Sequence, residues 1–173
     1  ATGKGIEGEV SGFSFDIRSE ETVRELVDEE KVFLPYKQID AAKDVAWNFK
    51  AINGEVLQGI LAGDSIPKIA TRIQTVEGMN QRSAIRTART MVTSAENLGR
   101  MDMMKTAQDD GIDLTKTWIA TLDNRTRHAH VELNGQEKSV DDPFEVGGQY
   151  IMYPGDPDAA PELVYNCRCT TVA

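Results

Sequence analysis

Between residues 40 and 110, apolar side chains recur at intervals of three and four, the spacing that lines one face of an α-helix. Ala42, Val45, Ala46, Phe49, Ile52, Val56, Leu57 and Ile60 form the first stripe, with Asp40 placed to cap it. Asn53-Gly54 falls inside that stripe, so the stretch reads either as two helices or as one with a weak point. Gly63-Asp64-Ser65 followed by Pro67 combines a helix stop, a cap and an early proline, which predicts a helix through Val76. Asn80 to Asp109 predicts the longest helix, with Ile85, Ala88, Val92, Ala95, Leu98 and Met101 on its apolar side and Gly111 as its stop. Before residue 40 the pattern is thinner. Phe13, Phe15 and Ile17 alternate as in a short strand, and Ser19 caps a helix carrying Val23, Leu26 and Val27 that closes before Pro35.

After Gly111 the period changes. Thr117–Leu122 is β-branched and aromatic and predicts a strand; residues 124–134 predict a short helix capped by Asp123 and ended by Gly135. Asp142-Pro143 and Gly147-Gly148 mark turns, followed by a strand at Gln149–Tyr153. A loop with Pro154, Pro157 and Pro161 leads to a last strand, Cys167–Val172. The expected class is α+β: a helical N-terminal part, then a small α+β domain with a short antiparallel sheet. Three regions follow, an irregular segment with a short helix over 1–39, a helical region over 40–111, and the α+β domain over 112–173.

Composition narrows the function classes. The chain has 173 residues, 40% hydrophobic and 27% charged, ordinary values for a soluble globular protein. No apolar run approaches the ~20 residues of a bilayer span, so no membrane role is expected. The N-terminal decapeptide lacks the apolar core of a signal peptide, and a first residue of Ala rather than Met suggests a piece of a longer protein. Two cysteines, two residues apart, exclude a disulfide scaffold. The net charge of −9 disfavours a general nucleic-acid binder. Its distribution is uneven: residues 1–64 hold 13 acids against 7 bases, 65–115 hold 6 against 7, and 116–173 hold 9 against 5. Only the middle third could face a polyanion. There Arg82, Arg86 and Arg89 share one helical face, either solvated, paired with the acidic N-terminal third, or contacting phosphate or an acidic partner.

The last third gathers the reactive residue types. Asp123, Arg125, Arg127, His128 and His130 fall within eight positions, and Asn166-Cys167-Arg168-Cys169 stands beyond the proline loop. Two histidines and two cysteines are the right number for tetrahedral zinc, and an extended strand would point Cys167 and Cys169 to one side. On a helix, His128 and His130 would face apart, leaving at most one as a ligand. The spacing matches no common zinc finger or ribbon, and two cysteines on one strand face equally suit small buried apolar groups. A thiol nucleophile lacks the helix N-terminus that would activate Cys167. Arg125, Arg127 and His130 are the types a phosphodiesterase uses, against the local negative charge. A structural network joining the two ends of a small domain explains the cluster without chemistry.

These residues resemble those of the phage Mu protein F-like family, also called head morphogenesis or minor head proteins. The matching string is Trp118–Asp123, Arg125-Thr126-Arg127, His130, Leu133-Asn134-Gly135, Asp142-Pro143-Phe144, Pro154-Gly155-Asp156 and Asn166–Thr170, with Ala84–Thr90 and Ile60–Ile73 upstream. The resemblance implies a tailed-phage or prophage protein of the head, associated with the portal and with head assembly and DNA packaging or delivery. It implies the virion as its place, with the host cytoplasm during assembly, and no enzymatic activity of the domain itself. Its motif set is Trp118, Asp123, Arg125, Arg127, His130, Gly135, Asn166, Cys167, Arg168 and Cys169. Many relatives carry Cys-x-x-Cys where this chain has Arg127 and His130, and a His where it has Val164. Of that zinc-like ligand set this chain keeps His130, Cys167 and Cys169. The rival classes are a phosphodiesterase- or toxin-like enzyme built on Arg125, Arg127 and His130, and a structural zinc-binding module.

Overall fold

The computed structural model describes residues 45–78 and 80–173. The strand expected at Phe13–Ile17, the Ser19-capped helix and the Asp40 cap lie outside them. Three helices come first: α1, Val45–Leu61; α2, Ile66–Glu77; and α3, Gln81–Asp109. Asn53-Gly54 does not split α1, which runs through it unbroken. Ser65 stands at the N-cap of α2 with a proline in its first turn, and Gly78 closes it in the left-handed conformation. Asn80 caps α3 by accepting the Ser83 N–H at 3.0 Å.

The first core lies among these helices. Ile52, Val56 and Leu57 of α1 and Ile69, Ala70 and Ile73 of α2 bury against Ala84, Ala88, Met91 and Ala95 of α3. The stripe read from α3 is real but incomplete. Its buried side also carries Thr87, Thr90, Thr93, Ser94 and Asn97. A helix with so much buried polarity needs polar partners on the other side, and the rest of the chain supplies them for Thr90, Thr93 and Asn97.

That remainder is built on β1, Thr115–Ile119, at the centre of a three-stranded antiparallel sheet. It pairs with β2, Glu137–Ser139, in the register Thr117↔Glu137, and with β5, Thr170–Val172, in the register Trp118↔Thr171. Between β1 and β2 lies the short helix α4, His128–Leu133; β3, Phe144–Val146, and β4, Gln149–Ile151, form a separate hairpin. Gly147 and Gly148 both have positive φ, 58° and 75°, as the tight two-residue hairpin turn requires. A further short helix, α5, spans Pro161–Val164. The second core collects Trp118, Leu133, Phe144, Ile151, Leu163, Val164, Cys167 and Cys169. Trp118 stands edge-on to Phe144 and to His130, with ring centroids 5.2 and 5.9 Å away. Met101 and Met104 of α3 meet Val140 in a smaller cluster, so the far half of α3 serves the α+β part.

Several local expectations are corrected. The strand expected over Thr117–Leu122 begins earlier and stops at Ile119, because Ala120 gives its N–H to the Asn134 carboxamide instead of a neighbouring strand. The helix expected from an Asp123 cap starts at His128 with Arg127 at its N-cap; Asp123 accepts the Arg125 N–H at 2.9 Å and forms a turn. The strands expected over Gln149–Tyr153 and Cys167–Val172 are shorter, Gln149–Ile151 and Thr170–Val172. Cys167 and Cys169 therefore precede β5, and their common direction comes from the loop that docks on α3.

Candidate functional site

The loop Asn166–Cys169 is fixed from several directions. Asn166 has φ +58°, a left-handed conformation that asparagine tolerates better than most residues. On one side lies α3. Thr90 Oγ1 accepts the Asn166 N–H at 2.9 Å, and Thr93 Oγ1 donates to the Cys167 carbonyl at 3.0 Å. Asn97 Oδ1 accepts the Thr171 N–H at 2.9 Å, while its Nδ2 donates to Thr93 O at 2.8 Å. Positions 90, 93 and 97 share one helix face, so a stripe of small polar side chains receives the loop backbone. Arg89 reaches over to give a 2.6 Å hydrogen bond to Asn166 Oδ1.

On the other side lies the turn Thr121–Arg127. Arg168 grips Asp123 with both terminal nitrogens, at 2.6 and 2.7 Å. Asp123 also accepts from the Arg125 N–H, and Arg168 with these bonds holds its carboxyl well below the usual carboxylate range. Thr121 Oγ1 donates to the Arg168 carbonyl at 2.9 Å, and Arg127 donates to the Tyr165 carbonyl.

Beneath this layer, His130, Cys167 and Cys169 are buried together, with their donor atoms within 4.8 Å of one another. His130 Nδ1 lies 3.2 Å from Cys169 Sγ and 3.7 Å from Cys167 Sγ. Its Nε2 lies 2.9 Å from the Leu163 carbonyl. A carbonyl only accepts, so Nε2 carries the proton and Nδ1 turns its other face to the sulfurs. The paired thiols respond oppositely. Cys167 is pushed up because it donates to Cys169 and is buried; Cys169 is held down by that same bond and then by His130.

This donor set fits a soft divalent cation. With Zn–S near 2.3 Å and Zn–N near 2.0 Å, tetrahedral corners stand about 3.5–3.8 Å apart, close to the distances found here. The hydrogen bond from His130 to Leu163 is the outer-shell contact that orients a ligating imidazole. Among the described residues, no fourth Cys, His, Asp or Glu joins the group.

Above the thiols opens a cavity of about 100 Å³ lined by Arg89, Arg125, Arg127 and Arg168, with Thr121, Thr126 and Asn166. The motif residues thus gather at one place, although Trp118 serves as the core beneath it and Gly135 lies at the turn that pairs with Trp118 O. Arg82 and Arg86, which share the Arg89 face of α3, are not among the residues that line the cavity. Arg86 stacks over the Tyr165 ring at 6.0 Å, and Arg82 is exposed. His128 is also exposed and faces Glu132 at 2.8 Å, away from the metal-type cluster. Reading the sequence missed Thr90, Thr93 and Asn97; their 3–4 spacing on one helix face was the available signal.

Two curated relatives share this stretch. The chain is 33% identical over 121 residues to an NAD(+)--arginine ADP-ribosyltransferase EFV of Enterococcus faecalis, which covers 70% of this chain and 25% of that protein. It is 30% identical over 118 residues to the minor head protein GP7 of Bacillus phage SPP1, covering 68% of this chain and 38% of that protein. The chain thus spans between a quarter and two fifths of the length of these relatives. No solved structure gives a significant match. The sequence pattern of the family described as Phage Mu protein F like protein matches residues 50–172, from α1 to the end of β5. The chain belongs to the phage Mu protein F-like family.

Proposed function

We propose that the chain acts as a minor head protein of a tailed phage or prophage, working with the portal and other head proteins during assembly and DNA packaging or delivery. The observation that carries this reading is the family match over residues 50–172, which takes in the three helices and the docked loop as one unit. The likeness to the SPP1 minor head protein supports it. Each of the two relatives matches more than two thirds of the chain, so their matched stretches overlap. A unit common to a head protein and a transferase suits assembly or docking better than one fixed chemistry. The site agrees. Asp123, Arg127, Arg168 and Asn166 are engaged with one another or with backbone carbonyls, and His130, Cys167 and Cys169 are buried. A clamp that binds α3 to the α+β part needs that arrangement, whereas a phosphodiesterase needs its acid and base facing substrate. The particle is the place this reading implies, with the host cytoplasm during assembly.

Co-purification with the portal protein of the same phage tests the reading. Retention of portal by the tagged chain, and DNA-poor particles when the chain is omitted, are the expected results. Full particles of normal infectivity without it would overturn the proposal.

The donor geometry favours a second element, zinc on His130, Cys167 and Cys169 as part of the clamp. The ion would supply cross-linking between α4 and the docked loop. Elemental analysis of the purified protein should give one zinc per chain, and Cys167→Ser with Cys169→Ser should lose it and lower the thermal midpoint. Metal-free protein whose midpoint is unmoved by chelator or added zinc would remove zinc from the clamp.

A further inference from the structure

We infer that the arginine-lined cavity above Cys167 and Cys169 is a binding site for a phosphate group. Four arginine residues line it from three separate stretches: Arg89 from α3, Arg125 and Arg127 from the turn before α4, and Arg168 from the docked loop. No carboxylate lines the cavity, in a chain whose net charge is −9. Asp123 is the carboxylate that Arg168 grips, and its single charge leaves the group strongly positive. Collecting like charges costs electrostatic energy, which a bound anion would offset.

The donors are available as well as the charge. A guanidinium has five N–H groups. Among the described contacts, Arg89 uses one on Asn166 and Arg127 one on the Tyr165 carbonyl, while Arg168 uses two on Asp123. The Arg125 side chain is 75% exposed, and its one ion-pair contact, to Asp123, is 3.5 Å long. Donors drawn from three separate stretches of chain suit the several oxygens of a tetrahedral phosphate better than the two oxygens of a carboxylate in one plane. Arg86 and Arg82 continue the positive surface along α3, outside the cavity, so a phosphodiester chain could run past it. Free inorganic phosphate and a nucleic-acid backbone offer the same group. This site stands apart from the assembly role, since either could hold without the other.

Calorimetric titration with inorganic phosphate, a short oligonucleotide and a polyglutamate peptide tests the assignment. Phosphate should bind in the millimolar range or tighter. Arg125→Gln should weaken it about tenfold, equivalent to one lost charge-assisted contact of about 1.4 kcal/mol, with an unchanged thermal midpoint. An oligonucleotide that binds more tightly than phosphate, with salt dependence and sensitivity to both Arg125→Gln and Arg82→Gln, identifies a nucleic-acid backbone as the source. Binding of phosphate without that preference identifies the free ion, and either result supports the site. No phosphate binding at tens of millimolar, an Arg125→Gln protein that binds phosphate as well as the parent, or tighter binding of polyglutamate than of both phosphate ligands would overturn it.

Discussion

The side-chain oxygen of Asn97, in the middle of α3, accepts the backbone N–H of Thr171 in β5 at 2.9 Å. The same oxygen lies 3.2 Å from the Thr170 hydroxyl and 3.3 Å from that of Thr171. On its far side the amide donates to Thr93 O. Asn97 is 1% exposed, so these bonds form where water cannot replace them. One side chain on a helix thereby completes the hydrogen bonding of a strand more than seventy positions away, and Trp118↔Thr171 pairing then carries that constraint into the sheet.

Asn97→Ala should therefore destabilise the protein by about 2–4 kcal/mol, since it strands the buried Thr171 N–H and opens a small cavity. Thr171→Val removes only a hydroxyl at longer range and should cost about 1 kcal/mol or less. Urea denaturation of both variants measures the difference. Equal, small effects would mean that the loop stays docked without Asn97.

Gly155 approaches α3 more closely than any side chain could. A Cβ at this position would stand 2.8 Å from both Cα and N of Ser94, and the residue has φ +88°. Gly155→Ala should cost about 2–5 kcal/mol, from left-handed strain together with overpacking against backbone that cannot move aside. Gly99 makes the opposite case. It is helical, a Cβ there meets nothing within 4 Å, and Gly99→Ala should stabilise by about 0.5–1 kcal/mol. Thermal midpoints moving in opposite directions would bear out both; a harmless Gly155→Ala would contradict the close approach.

The two cases also show what the sequence makes legible. Gly155 stands in a Pro-Gly-Asp string that reads as a turn, and only the fold shows that α3 passes against it. The helix α3 was readable from its apolar spacing and its Asn80 cap. Its second buried face was not, because Thr90, Thr93 and Asn97 are residues that ordinarily face water. The histidine and cysteine cluster was visible as residue types, but its geometry rests on a loop rather than the expected strand. Lys116 was hidden for a related reason. It shares the inward face of β1 with Trp118, and no local rule buries a lysine.

Asp123 and Arg168 tie the turn before α4 to the docked loop. The folded-state pKa of Asp123 is depressed, so the pair contributes stability above the ordinary carboxylate pKa near 3.8, and that contribution fades as pH falls below it. Asp123→Asn should lower the denaturation midpoint at pH 7 and make stability less dependent on pH between about 4 and 2. Arg168→Lys should reproduce part of the neutral-pH loss, because a lysine cannot grip both oxygens in parallel. If Asp123→Asn leaves the acid limb as steep as before, another carboxylate governs it.

Lys116 offers a test in the alkaline range. Its ammonium donates to the Val140 and Met152 carbonyls, each at 2.9 Å, and stands 5.2 Å from the Phe144 ring centre. Burial lowers its pKa from 10.5 to about 8. Between those values the unfolded chain holds a proton that the folded protein has released, so this group makes stability rise with pH across the window. The gain approaches about 3 kcal/mol at its upper end, at about 1.4 kcal/mol per pH unit for a whole proton. Tyr153 acts in the other direction. Burial raises its pKa above 10, so the folded protein keeps a proton that the unfolded chain loses, and stability falls above that point. Cys167, also raised, adds to that fall once the unfolded thiol ionises. Lys116→Met keeps most of the volume and removes the titrating amine, leaving two carbonyls without their donor. The variant should be less stable at pH 7, and the parent's stability minus the variant's should rise from pH 8 to 10. Subtracting the variant removes Tyr153 and the thiols, which both proteins share. Denaturant midpoints taken across that range supply the comparison, and a difference that stays flat would mean that the buried amine keeps its ordinary pKa.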